Sequence, residues 1–179
     1  MCLNLCRTTQ MQKIDKIYFD IDGVIRGTAS PQEDIIALLR YCLDNYPNSL
    51  YWLTTHCKNG VNHTNFALSG AFPKELVDEL CQTFQPTDWE VLKTDAIDLD
   101  CDFVWFDDNL FETEKAVLES HYVLDGFFKM NPKDPTMAKK TLTSSKASSF
   151  SPRIIIISPS NHIIITISSS PEITIYTKL

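Results

Sequence analysis

Residues 16–24 read KIYFDIDGV, an apolar run of β-branched and aromatic residues (Ile17, Tyr18, Phe19) closed by Asp20, Asp22 and Gly23. A run this short, bounded by a turn signal, has the signature of a buried strand. The pattern recurs at residues 102–109, DFVWFDDN, where Phe103 to Phe106 lead into Asp107 and Asp108. Two acidic pairs thus stand behind two expected strands.

The segments between and around them alternate. Gln32 onward reads as a helix, with Ser30 as N-cap, Pro31 at the first position and Ile35, Ile36, Leu38, Leu39 and Leu43 on one face. Leu50 to Leu53 reads as a second buried strand ending in Thr54-Thr55. KNGVNHTN (58–65) reads as a loop, and residues 72–84 as a helix. A short strand is expected at 89–92, ahead of Lys93. Phe103 to Phe106 follow as a strand, residues 110–120 as a helix and 122–124 as a last short strand. This order predicts an α/β fold, a Rossmann-like three-layer sandwich with an open, mostly parallel sheet. Ligands bind such sheets beyond the carboxyl ends of the strands. Asp20, Thr54, Lys93 and Asp107 all fall there, so four separate segments deliver an acid, a hydroxyl, a base and an acid to one edge.

Carboxylates gathered at one edge repel one another by several kcal/mol in a partly dry pocket. A divalent cation removes that cost. Mg²⁺ suits it best, because it takes hard oxygen ligands and keeps waters that a phosphate can replace. The residues alone therefore point to metal-assisted phosphoryl chemistry.

The 179 residues suffice for one domain with a single core. Of the net charge of −7, residues 131–179 contribute six Lys or Arg against two acids, which leaves residues 1–130 at −11. So acidic a body does not attract nucleic acid by general electrostatics. The six cysteines form no CxxC pair, and none has an Arg six residues later, so the loop of a cysteine phosphatase is absent. His56, Cys57 and His63 fit no common zinc spacing. The first residues lack an uninterrupted apolar stretch of the kind that directs secretion, and no apolar run approaches membrane-spanning length. These features predict a reduced, cytoplasmic protein. Residues 1–13 read as a leader, 14–130 as the domain and 131–179 as a low-complexity tail. Between Thr141 and Leu179 the tail holds ten Ser, five Thr and ten Ile, with no Gly.

DIDGV, followed by a strand ending in Thr, an isolated Lys and a strand ending in two Asp, resembles the haloacid dehalogenase (HAD) superfamily over roughly residues 13–130. More narrowly, WLTTHCKNG, LKTDAIDLD and FVWFDDN look like the capless HAD domain of Swiss-army-knife RNA repair proteins. The resemblance implies a Mg²⁺-dependent phosphatase. It makes Asp20 the nucleophile that forms an aspartyl-phosphate. Asp22 becomes the general acid/base, with its main-chain carbonyl on the metal. Thr54, with Thr55 as the adjacent alternative, is the hydroxyl that binds phosphoryl oxygens. Lys93 neutralises nucleophile and phosphate. Asp107 is the acidic metal ligand, and Asp108 supports it or binds through water. Arg26, His56 and Lys58 are candidate substrate contacts.

Only 31 residues separate Asp22 from Thr54 and 38 separate Thr54 from Lys93, so neither gap holds a folded cap. An uncapped site suits a phosphate on a large molecule, an RNA end or a phosphoprotein. The alternatives are a small-metabolite phosphatase closed by a partner or by the loop at 56–70, and a non-catalytic binding or regulatory module.

Overall fold

In the computed structural model, residues 14–27, 32–131 and 133 are described, together with the backbone of residues 153–155 and 166–168. The expected leader, the N-cap at Ser30-Pro31 and most of the expected tail lie outside these residues. Five strands, β1 (Lys16–Phe19), β2 (Leu50–Trp52), β3 (Gln85–Pro86), β4 (Phe103–Asp107) and β5 (Phe127–Lys129), form one sheet. Its order is β3-β2-β1-β4-β5 and every pairing is parallel. Two further short strands, β6 (Arg153–Ile155) and β7 (Thr166–Ser168), pair antiparallel, with Ile154 opposite Ile167.

Side chains alternate along each central strand and so feed two cores. Ile17, Phe19, Leu50, Trp52, Val104 and Phe106 pack with α1 (Gln32–Asn45), α2 (Thr64–Leu68) and α3 (Lys74–Thr83). Tyr18, Phe103 and Trp105 pack on the other face with Trp89, Ile97 and Leu118 of α4 (Glu112–Ser120). The fold is therefore an α/β sandwich with an all-parallel central sheet flanked by helices. Phe19 stacks on Phe106 at 4.7 Å and Trp52 on Phe84 at 4.1 Å, which ties the middle strands to one core.

The chain leaves β1 towards β2 over one face, and leaves β4 towards β5 over the other. The order thus reverses between β1 and β4, the switch point at which open parallel sheets place their ligands. Asp20 directly follows β1 and Asp107 ends β4.

Two expected strands are corrected. Residues 89–92 are irregular, and Lys93–Ala96 form a short 3₁₀ turn. The Val91 and Leu92 N–H groups donate to the Asp95 carboxylate rather than to a neighbouring strand. Trp89 is apolar because it anchors the second core, not because it lies in a ladder. The edge strand among the described residues is instead Gln85–Pro86, a position where a proline's missing donor is tolerated. Likewise 122–124 is not extended. Tyr122 has a left-handed φ of 60° and Val123 donates to Leu118 O, closing α4, so the strand begins only at Phe127. The expected loop at 58–65 runs into α2, where Asn62 Oδ1 accepts both the N–H and the hydroxyl of Thr64. No helix among the described residues is long and apolar enough to cross a membrane.

Candidate functional site

β1 and β4 lie side by side with Phe19 opposite Phe106, and the Asp20 N–H donates to Phe106 O at 3.0 Å. This register sets the acids that follow the two strands beside each other. Both are buried: Asp20 is 8% exposed and Asp107 is 3% exposed. Lys93 arrives from the 3₁₀ turn, and its ammonium bridges them. Nζ donates to Asp20 Oδ2 at 2.8 Å and to Asp107 Oδ2 at 2.6 Å.

Each acid is also held by the backbone around it. Asp20 Oδ1 accepts the Ile21 N–H at 2.7 Å. Asp107 Oδ1 accepts the Asn109 N–H at 3.0 Å, and its Oδ2 accepts Trp105 Nε1–H at 3.2 Å. None of residues 107–109 is the N-cap of α4, which is Phe111.

Asp108 completes the cluster. Asp20, Asp107 and Asp108 each bring a carboxylate oxygen within 4.8 Å of the other two. At that separation two charged carboxylates repel by roughly 3–4 kcal/mol at an effective dielectric near 20. One ammonium, bonded to two of the three acids, does not balance the donor set. An all-oxygen, carboxylate-rich set of this kind fits a hard divalent cation.

The electrostatics agree. Burial pushes the Asp107 carboxyl up, to about 6, against the pull of Lys93 and with a further push from Asp20. Burial works against the Lys93 ammonium, but Asp20 and Asp107 outweigh it and hold its pKa above the ordinary lysine value.

Gly23 makes room for Asp108. Its φ is +78°, and a Cβ there would lie 2.3 Å from Asp108 Oδ2. Gly23→Ala is therefore expected to lower stability by about 1–3 kcal/mol and to displace Asp108. Thermal unfolding together with a metal titration measures both effects.

Asp22 stands apart from the cluster in its side chain. The turn at 21–26 closes through Gly23 N–H to Arg26 O at 2.7 Å. Within it, Asp22 Oδ1 accepts from Arg26 Nε at 2.9 Å, and Oδ2 lies 2.9 Å from His56 Nε2. Arg26 also donates to Ala67 O at 2.8 Å, which fastens the turn to α2. Partial burial pushes the Asp22 carboxyl up, but the hydrogen bonds from Arg26 and His56 outweigh it and hold it below the usual carboxylate range. In this state Asp22 is ionised and half exposed, ready to accept a proton rather than to give one.

Thr54 follows β2 beside the Asp20 segment, since the Leu53 N–H donates to Phe19 O. It is fully buried, and its hydroxyl has no hydrogen-bond partner among the described residues. Thr55 is exposed at the start of a 3₁₀ turn. An orphaned buried hydroxyl is costly unless something polar meets it. Of the two threonines, Thr54 is thus the one with an unmet need for a ligand oxygen. Lys58 lies 5.3 Å over the Trp89 ring and is oriented there.

Sequence reasoning gave Arg26 and His56 only as possible substrate contacts and did not foresee their pairing with Asp22. It missed Glu114 altogether. Glu114 is buried on α4, with Oε1 accepting the Lys93 N–H at 3.0 Å and Oε2 the Phe111 N–H at 3.1 Å.

What the fold and site define is an α/β protein with a buried acid–lysine cluster at the switch point of a parallel sheet. Compared with protein-family models, with curated proteins and with solved structures, the chain finds no match.

Proposed function

We propose that the protein is a Mg²⁺-dependent phosphatase of the capless HAD type, hydrolysing phosphomonoesters through an aspartyl-phosphate. The observation that carries this reading is the Lys93 ammonium bridging Asp20 and Asp107, with Asp108 beside them. A nucleophilic carboxylate, a neutralising cation and a metal-ligating carboxylate are the parts that phosphoryl transfer to an aspartate requires.

Asp20, Asp107 and Asp108 would hold Mg²⁺ through their side chains, and Asp22 through its main-chain carbonyl. The ion would neutralise charge on the phosphoryl oxygens. Asp20 attacks phosphorus in line, forming the Asp20 O–P bond as the ester P–O bond breaks. The leaving oxygen takes a proton from the Asp22 carboxyl. Asp22, now a carboxylate, takes a proton from the water that attacks the acyl-phosphate, which restores Asp20 and releases inorganic phosphate. Lys93 pairs with Asp20 and offsets the incoming negative charge. The Thr54 hydroxyl donates to a phosphoryl oxygen.

The first half of this cycle needs a protonated Asp22, whereas Arg26 and His56 hold it ionised in the present state. Substrate binding must therefore draw at least one of the two away. That same engagement supports a second reading, a non-catalytic module that keeps the metal site.

We infer a substrate at the macromolecular end of the range. The stretch from Gly23 to Leu53 accommodates α1, and the stretch from Thr55 to Leu92 accommodates α2, α3 and β3. Among the described residues neither stretch holds a folded cap, which supports a phosphate on an RNA end or on a phosphoprotein. The deciding experiment is turnover of p-nitrophenyl phosphate with Mg²⁺, with EDTA as control. Metal-dependent turnover is expected. Metal binding without turnover would instead support the module. A panel of 3′- and 5′-phosphorylated RNA, phosphopeptides and sugar phosphates then ranks substrates.

Thr54→Val gives a separate expectation. The hydroxyl has no partner among the described residues, so its loss leaves the free protein as stable as before or up to about 1 kcal/mol more stable. The same change lowers kcat/KM by about 10²-fold, as expected when one donor to a developing anion is removed. A fall in stability that accompanied unchanged kinetics would refute the role given to Thr54.

A further inference from the structure

Lys93 is the only member of the bridging trio that no strand holds. Asp20 follows β1 and Asp107 ends β4, each fixed by ladder hydrogen bonds. The segment before Lys93 pairs with no strand among the described residues, and two carboxylates take its donors instead. Asp95 takes the Val91 and Leu92 N–H groups, and Glu114 takes the Lys93 N–H.

Glu114 does more than close a helix. A glutamate in the first turn of α4 needs one oxygen to cap Phe111, and such residues ordinarily sit in solvent. Here the residue is 3% exposed, and its second oxygen is spent on the backbone of Lys93, 21 positions earlier. A buried carboxylate is tolerated only when its oxygens are hydrogen-bonded, and both oxygens of Glu114 are committed to backbone N–H groups. Phe111 lies four residues after Asp107. The two oxygens of Glu114 therefore join the main chain beneath the Lys93 side chain to the chain leaving Asp107.

We propose that Glu114 is the positioning residue for Lys93. It touches no substrate and acts through the lysine alone. The kinetic part of this proposal rests on the phosphatase reading, but the structural part does not.

The test compares Glu114→Gln and Glu114→Asp with Glu112→Gln, an exposed acid in the same helical turn. The first readout is the rate of reductive methylation of Lys93 in the metal-free protein, followed by mass spectrometry against Lys16 as internal reference. Both Glu114 variants are expected to raise the Lys93 rate selectively, and Glu112→Gln to leave it unchanged. The second readout is p-nitrophenyl phosphate kinetics. Glu114→Gln is expected to lower kcat by roughly 10–100-fold, the range typical of groups that orient a catalytic residue, with KM little changed. Glu114→Asp is expected to recover part of that loss.

Amide hydrogen exchange in the wild-type protein covers the case in which the variants do not fold. Slow exchange at both Lys93 and Phe111 is expected, and fast exchange at Lys93 overturns the proposal. So do unchanged Lys93 methylation in folded Glu114 variants, or an equal effect from Glu112→Gln. If the wild type turns over no phosphoester, the phosphatase reading fails, while methylation and exchange still decide the role of Glu114.

Discussion

Asp20→Asn is expected to abolish Mg²⁺-dependent phosphoester hydrolysis, lowering kcat by on the order of 10⁴-fold or more, as removal of a covalent nucleophile does. The fold should survive. The amide oxygen can still accept the Ile21 N–H, and Asp20 is one of two acids shared by Lys93 rather than its sole partner. Loss of a repelling charge beside Asp107 also removes part of what pushes that carboxyl up. The measurement is turnover together with thermal unfolding of the same preparation. A variant that folds as well as the wild type and keeps a tenth or so of its turnover, against the loss expected for a missing nucleophile, rules out an aspartyl-phosphate at position 20.

The second large effect is on stability. Lys93→Met keeps the length of the side chain and removes the ammonium, leaving Asp20 and Asp107 buried without a cation. Breaking a buried pair from one side costs about 3–5 kcal/mol, because the remaining charge is uncompensated. The loss has a pH signature.

In the wild type, Asp107 has a folded pKa raised to about 6 from an ordinary value near 3.8. The folded state therefore binds more protons than the unfolded state between those limits. The contribution of this group to stability falls as pH rises through that window and stays low above about 6. Without Lys93 the shift is larger, so the destabilisation is greatest near pH 8 and shrinks towards pH 5. Denaturant unfolding at the two pH values measures it. Equal destabilisation at both would show that the ammonium does not serve these carboxylates. Added Mg²⁺ should restore part of the lost stability at pH 8, because ligand binding to the folded state shifts the equilibrium by mass action.

β1 and β4 were legible because their apolar runs are short, dense and closed by acids, and because parallel strands covered on both faces leave little else for such runs to be. The site acids followed from the strand ends. The α/β class followed from the alternation, although two of its expected strands were misplaced.

Those misplacements share a cause. Trp89, Val91 and Leu92 look like a strand, but the Val91 and Leu92 donors are taken by a side chain, and Trp89 is apolar to fill a core. Tyr122 and Val123 look like a strand, but a left-handed residue turns the chain first. Periodicity records burial and is silent on which group satisfies the backbone.

The contacts of Asp22 were hidden for another reason. Arg26 is four residues away and could be guessed, whereas His56 lies 34 positions downstream and meets Asp22 only once β2 is docked beside β1. Glu114 reads in the sequence as an ordinary solvated acid of a first helical turn. Its burial is set entirely by the packing of α4 against the Lys93 turn.

The central claim is that Asp20, Asp107 and Asp108 together hold one divalent cation, and its most direct test is a Mn²⁺ titration followed by electron paramagnetic resonance. The wild-type protein should bind one Mn²⁺ per chain, displaceable by Mg²⁺. Affinity should weaken as pH falls below about 6, where Asp107 takes up its proton. Asp107→Asn should bind none in the same range. Wild-type protein that binds no ion at millimolar Mn²⁺, or an Asp107→Asn variant that binds as the wild type does, would contradict the account.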